Sequence, residues 1–153
     1  MFNVRVYGVL LGPNMEVLVA DEYIRGGYYT KFPGGGLEFG EGTRDCLKRE
    51  FKEEMDLDIA VGDHLYTTDF FQLSAFRPTD YQIIAIYYWV TALEPIKAPL
   101  RQKPFDFDER EMKLYAEREE TETFRYIPRA QFSEESMTLP IDKVVARIVA
   151  NSK

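Results

Sequence analysis

An α/β (α+β) architecture, a mixed β-sheet sandwiched between helices, is what the patterning of this 153-residue chain predicts. Three observations carry that expectation. Runs of β-branched and aromatic residues recur between Gly, Pro and Asn punctuation. One run, residues 81–93, is apolar on both alternating faces. Two segments, 43–55 and the one opening at Pro140, place apolar residues at helical spacing. No repeat and no compositional break divides the chain, so residues 1–153 are expected to form a single domain.

Taken in order, residues 2–11 read as a strand that Gly12-Pro13-Asn14 ends with turn chemistry. Residues 15–20 read as its hairpin partner, and a short aromatic strand at 28–32 follows the break at Gly26-Gly27. Pro33-Gly34-Gly35-Gly36 suits neither a helix nor a strand interior and predicts a loop that comes close to something. In residues 43–55, Thr43 is the expected N-cap and Leu47, Phe51 and Met55 form the apolar stripe. Residues 65–73 are expected to be a strand, 81–93 a central strand, 95–104 a linker and 105–122 an acidic, partly helical segment. A last short strand at 123–127 precedes a helix opened by Pro140, with Ile141, Val144, Val145, Ile148 and Val149 on one face.

Composition narrows the function. A net charge of −7 argues against a nucleic-acid binder, which needs a positive surface to displace counterions. The single Cys excludes a disulfide framework. No apolar run approaches the roughly 20 residues of a membrane span, and Arg5 interrupts the only apolar stretch where a leader would lie. A soluble cytoplasmic protein is expected.

The helix at 43–55 breaks the ordinary rules. Glu50, Glu53 and Glu54 share one stripe, where like charges at i, i+4 repel by a few tenths of a kcal/mol. They also crowd the helix end at which the macrodipole favours cations, with Asp56 and Asp58 just beyond. The apolar stripe alongside places them at the edge of the core. A divalent cation would convert repelling oxygens into ligands, and carboxylates suit Mg²⁺ or Mn²⁺, which bind through a few carboxylates plus substrate phosphates.

Gly35, five residues, Glu41, seven residues, then Arg49-Glu50-Phe51-Lys52-Glu53-Glu54-Met55-Asp56-Leu57 closely resembles the Nudix box, G-x5-E-x7-R-E-U-x-E-E-x-G-U, with U a bulky apolar residue. One fixed position departs from it: Asp56 replaces a glycine that serves the turn after the helix, and Asp tolerates the left-handed conformation better than most residues. The resemblance implies a Nudix-type α/β/α sandwich and hydrolysis of a nucleoside diphosphate linked to another group. ADP-ribose, nucleotide sugars and (d)NTPs are the implied substrate classes, with Mg²⁺ or Mn²⁺ as cofactor. It implies Glu50, Glu53, Glu54 and the Gly35 carbonyl as metal ligands, and Arg49 as the residue that orients the glutamates. Glu41 becomes an anchor near the helix start and Gly34 and Gly36 structural members of the motif. Glu50 and Glu53 are both possible bases, as are Glu109, Glu111, Glu117, Glu119 and Glu120 in the acidic segment. A homodimer is common in the family.

Outside the box, Arg5, Arg25 and Lys31 are candidates for binding phosphates, and Tyr28, Tyr29, Phe70, Phe71 and Tyr87 for stacking a base. Asp106, Asp108 and Glu117 have partial calcium-loop spacing, but Glu111 replaces the required glycine, which makes the match a coincidence. His64 is expected in a surface turn, and Cys46 as a small buried hydrophobe. Two other functions compete. A non-catalytic nucleotide sensor of this family usually loses box glutamates and carries an added domain, whereas here the box glutamates are all kept and little length is spare. An isopentenyl-diphosphate isomerase needs a reactive Cys outside the box, and Cys46 lies inside it.

Overall fold

The computed structural model describes residues 1–76 and 80–152. In chain order they form β1 (Phe2–Leu10), β2 (Val17–Ile24), β3 (Gly27–Lys31), β4 (Gly34–Gly36), α1 (Thr43–Met55), β5 (Ile59–Thr67), β6 (Gln82–Ala92), β7 (Leu100–Arg101), α2 (Glu109–Arg118), β8 (Glu120–Ile127) and α3 (Pro140–Ala150). The class is mixed α+β, as expected, but the strands make two four-stranded mixed sheets where one was anticipated. The chain falls into two compact units, Met1–Leu10 with Pro33–Lys97 and Leu11–Phe32 with Ala98–Lys153. No helix among the described residues is long and apolar enough to cross a membrane.

The first unit holds the sheet ordered β4-β1-β6-β5. β6, apolar on both faces in sequence, is internal as expected, parallel to β1 and antiparallel to β5. Helix α1 buries Cys46, Leu47, Phe51 and Met55. It comes so close to β1 that a Cβ on Gly8 would lie 2.9 Å from a Phe51 ring carbon. The helix is capped at its start by Gly42, not Thr43, whose hydroxyl instead meets the Tyr88 hydroxyl at 2.7 Å. At its end Asp56 takes the left-handed conformation (φ 51°, ψ 43°) that the missing glycine would occupy. Its carboxylate meets Lys52 at 3.1 Å and Lys97 at 3.3 Å, and Lys52 holds its pKa down first.

Several local expectations shift. The strand expected at 65–73 is β5, six residues earlier at its start, so His64 lies within a strand; its register with β6 is irregular on either side of that residue. His64 is exposed and hydrogen-bonds Thr67 at 2.7 Å. The expected β1–β2 hairpin is reduced to a tight turn, closed by an antiparallel bridge between Leu11 and Val17 and by the Gly12 N–H donating to the Glu16 carbonyl at 2.8 Å, and no ladder follows it. Both edges of β1 are taken by β4 and β6, and both edges of β2 by β3 and β8, so Gly12-Pro13-Asn14 links two sheets.

The second unit holds the sheet ordered β3-β2-β8-β7. Its acidic segment becomes α2, opened by a reciprocal capping box in which Asp108 and Glu111 each accept the other's backbone N–H at 2.8 Å. Asp108 is thus a helix cap, at odds with any calcium loop. α2 buries none of its residues; Tyr115 stacks on Tyr23 (3.8 Å), which stacks on Tyr28 (4.3 Å). The Tyr115 hydroxyl also accepts the Gly26 N–H at 2.9 Å.

Asp21, wholly buried, ties this unit together. Its carboxylate accepts Arg125 Nε at 2.6 Å and Nη2 at 3.2 Å, the Thr30 hydroxyl at 2.8 Å and the Phe105 N–H at 3.2 Å. Removing one partner of such a buried pair strands the other charge and costs about 3–5 kcal/mol. Asp21→Ala is therefore expected to lower Tm on the order of 10 °C, read by thermal denaturation; a shift within 2 °C would show that the network carries no stability.

Candidate active site

The site in the first unit is built on β4 and α1. The three glycines of β4 form a terminal strand paired to β1, with Arg5 opposite Gly36, Val6 opposite Gly35 and Tyr7 opposite Gly34. The expected glycine loop is thus a short strand whose close approaches are to both of its faces. A Cβ on Gly34 (φ +150°) would fall 2.1 Å from the Val6 carbonyl oxygen, so this position excludes a side chain. A Cβ on Gly35 would fall 2.3–2.5 Å from the Glu50 carboxyl atoms. Only a glycine lets that carboxylate lie against the backbone.

Arg49 gathers the acids. Its Nε and Nη2 hold the two Glu41 oxygens at 3.0 and 2.7 Å, a bidentate pair. Nη2 also donates to the Gly36 carbonyl at 3.0 Å. Nη1 donates to Glu50 Oε1 at 2.9 Å and Glu53 Oε2 at 3.2 Å, with Glu38 at 3.7 Å. The Glu41 and Glu50 side chains are only 16% and 14% exposed, against 59% for Glu53. Glu50 therefore lies at the edge of the core, while Glu53 is largely in solvent.

Glu41 is the anchor, but the backbone amide it meets is that of Glu38 in the preceding loop, at 2.9 Å. Arg49 first, and that amide second, pull its carboxyl down to about 2. Burial first, and a hydrogen bond to Glu41 second, push the Cys46 thiol up to about 12, so it stays protonated at neutral pH.

Among the described residues no group of three or more His, Cys, Asp or Glu is placed to hold a metal ion. Two carboxylates, Glu50 and Glu53, do converge on one cationic atom, Arg49 Nη1, beside the bare face of Gly35. The guanidinium nitrogen stands in for a cation there, and an all-oxygen set suits a hard divalent ion. Glu54, partly buried, follows Glu53 on α1.

Of the phosphate-binding candidates, Arg5 lies beside this site, with Nη1 3.6 Å from where a Gly36 Cβ would be. Arg25 and Lys31 belong to the second unit. Arg25 is exposed in the β2–β3 turn, and Lys31 is buried with its ammonium 3.1 Å from Glu22. Tyr87 is a core residue, Tyr28 belongs to the tyrosine stack, and Phe70 and Phe71 are exposed. Tyr7, beside Arg5 here, is not among the candidates the sequence offers; its i, i+2 spacing from Arg5 on one strand is the signal that could have found it.

The NUDIX domain family model matches residues 1–148, running through both units. Solved structures share the fold at low identity. The MutT NUDIX hydrolase from Burkholderia pseudomallei superposes with a TM-score of 0.68 at 13% identity, over 97% of this chain and 98% of that one. The E. coli ORF135 protein gives 0.66 at 15%, over 96% and 87%. An ADP-ribose pyrophosphatase from Streptococcus suis gives 0.59 at 12%, over 100% and 95%.

The lowered Glu41 pKa has a pH consequence. Its stabilising contribution is complete above the ordinary value of 4.5 and is lost as pH falls through about 2. In denaturant titrations from pH 6 to 2, the wild type should lose stability across that window more steeply than Glu41→Gln. Parallel curves would disprove the anchor.

Proposed function

The chain belongs to the NUDIX family, and from that premise we propose that it is a hydrolase that splits the diphosphate of a nucleoside diphosphate derivative by attack of water on phosphorus. ADP-ribose, nucleotide sugars and (d)NTPs are the substrate classes, with Mg²⁺ or Mn²⁺ as cofactor. The observation that carries this reading is the convergence of Glu50 and Glu53 on one cationic nitrogen beside a strand without side chains.

A diphosphate is polyanionic, and an acidic protein must neutralise it before a nucleophile can approach. Glu50 and Glu53, with Glu54 next on the helix and the Gly35 carbonyl, would hold the divalent cation. When bound, the cation supplies charge that offsets the phosphoryl oxygens and lowers the pKa of water. The protein's own groups do the rest. Gly35 leaves room for Glu50 against the backbone, and Arg49 keeps the glutamates aligned while Glu41 keeps Arg49 in place. Glu53, the most exposed of the paired acids on α1, is free enough in solvent to receive the proton of the attacking water. A new P–O bond then forms as the bridging P–O bond breaks, and the displaced phosphate carries away the electron pair. Arg5 contributes positive charge on the same strand pair.

The fold neighbour from Streptococcus suis is named an ADP-ribose pyrophosphatase, which makes ADP-ribose the first substrate to test. With Mg²⁺ or Mn²⁺, the purified protein should hydrolyse ADP-ribose, a nucleotide sugar or a (d)NTP in a screen with product identification. Glu53→Gln should lower kcat at least about 100-fold. Binding without turnover across the panel and both metals would point to a sensor, and a wild-type rate in Glu53→Gln would remove this base.

A further inference from the structure

Arg49 Nη1 has a third carboxylate near it. Glu38 Oε1 stands 3.7 Å away, beyond hydrogen-bond range, while Glu50 and Glu53 take the same nitrogen at 2.9 and 3.2 Å. The Glu38 side chain is 69% exposed and that of Arg49 only 23%. At that range and exposure an ion pair contributes little to stability, so folding gives no reason for Glu38 to be there.

The backbone of Glu38 is nonetheless held firmly. Its N–H donates to Glu41 Oε1 at 2.9 Å, and the Glu41 N–H donates back to the Glu38 carbonyl at 3.3 Å. The second bond closes a turn over residues 38–41, in which Gly40 takes a left-handed φ of +99°. A Cβ on Gly40 would meet nothing within 4 Å, so the backbone angle, not space, calls for glycine. Glu41 in turn grips Arg49 through two bonds. The root of Glu38 is thus fixed relative to the guanidinium while its tip stays in water. A closure of about 1 Å would make it a hydrogen-bond acceptor for Nη1.

The other nitrogens of Arg49 are engaged elsewhere. Nε and Nη2 hold Glu41, and Nη2 also meets the Gly36 carbonyl at 3.0 Å and the Cys46 sulfur at 3.7 Å. If Glu50 and Glu53 turn to a divalent cation, Nη1 loses both hydrogen-bond acceptors it has among the described residues. A largely buried donor without an acceptor is costly, and a guanidinium beside a dication is repelled.

We infer that Glu38 is a positioning residue that takes over Arg49 Nη1 when Glu50 and Glu53 are released to a divalent cation. Metal binding then does not strand the guanidinium that aligns the box. This rests on the hydrolase reading above, since it needs a cation at Glu50 and Glu53. Glu38 acts through Arg49, not by touching cation or substrate.

Glu38→Gln removes the charge and keeps the side-chain length and the backbone turn. The test measures Mn²⁺ affinity by electron paramagnetic resonance of the free ion, without substrate, beside the Tm of the metal-free protein. Glu38→Gln should bind Mn²⁺ about fivefold more weakly, the upper range for a partly exposed ion pair, with metal-free Tm within about 2 °C of wild type. In an Arg49→Gln background, which has no guanidinium to strand, adding Glu38→Gln should change the affinity by less than about twofold. An acid that only attracts the ion through space would cost the same in both backgrounds. That result, or equal affinities of wild type and Glu38→Gln, overturns this inference alone. Should Arg49→Gln not fold or not bind Mn²⁺, a crystal structure of the wild type with Mn²⁺ decides: Glu38 within about 3.2 Å of Nη1 is expected, and Glu38 no closer than now overturns the takeover. Failure of the wild type to bind Mn²⁺ overturns the hydrolase reading and the inference with it.

Discussion

One guanidinium, that of Arg49, meets three carboxylates within 3.2 Å and a backbone carbonyl at 3.0 Å. Without it, the half-buried Glu41 and Glu50 would repel each other where little water screens them, and the exposed Glu53 would add a third negative charge beside them. The arrangement divides the cation's labour. One side, Nε with Nη2, is committed to Glu41, a carboxylate that stays ionised far into acid. The other, Nη1, is shared between Glu50 at 2.9 Å and Glu53 at 3.2 Å, of which only Glu53 is largely in solvent. The fixed side holds the arginine while the shared side can yield its glutamates to a stronger cation.

The constraint that makes this arrangement possible is the absence of side chains on β4. Gly35 admits the Glu50 carboxylate on one face, and Gly34 and Gly36 admit Tyr7 and Arg5 on the other. Three successive glycines weaken a strand in isolation, and here pairing to β1 compensates. The same strand thus stands beside a metal-ligating candidate at Gly35 and a phosphate-binding candidate at Gly36, although these come from segments 45 residues apart in sequence.

Much of this was legible because it is local. The apolar stripe of α1, Pro140 at the start of α3, and the two-faced apolar run of β6 each follow from periodicity within one segment. Asp56 entering the left-handed region follows from its own chemistry and its place after the helix. What escaped was set by partners distant in sequence. Whether β2 pairs with β1 depends on β3 and β8 competing for its edges, and local turn chemistry at Gly12-Pro13-Asn14 cannot see that competition. Lys31 reads as a phosphate ligand until Glu22, its neighbour across the β2–β3 hairpin, is placed beside it. The Asp108–Glu111 capping box was written in the sequence, hidden by the density of acids around it.

The proposed cation site depends above all on the bare face of Gly35. The atoms a methyl there would meet first are those of the Glu50 carboxyl group, so Gly35→Ala displaces that carboxylate. Mn²⁺ binding to both proteins, followed by electron paramagnetic resonance of the free ion, tests this. Wild type should bind Mn²⁺ and Gly35→Ala should bind it at least about tenfold more weakly, a loss of roughly 1.4 kcal/mol, at nearly unchanged Tm. Equal affinities would contradict the claim that this glutamate, lodged against a side-chain-free strand, holds the cation.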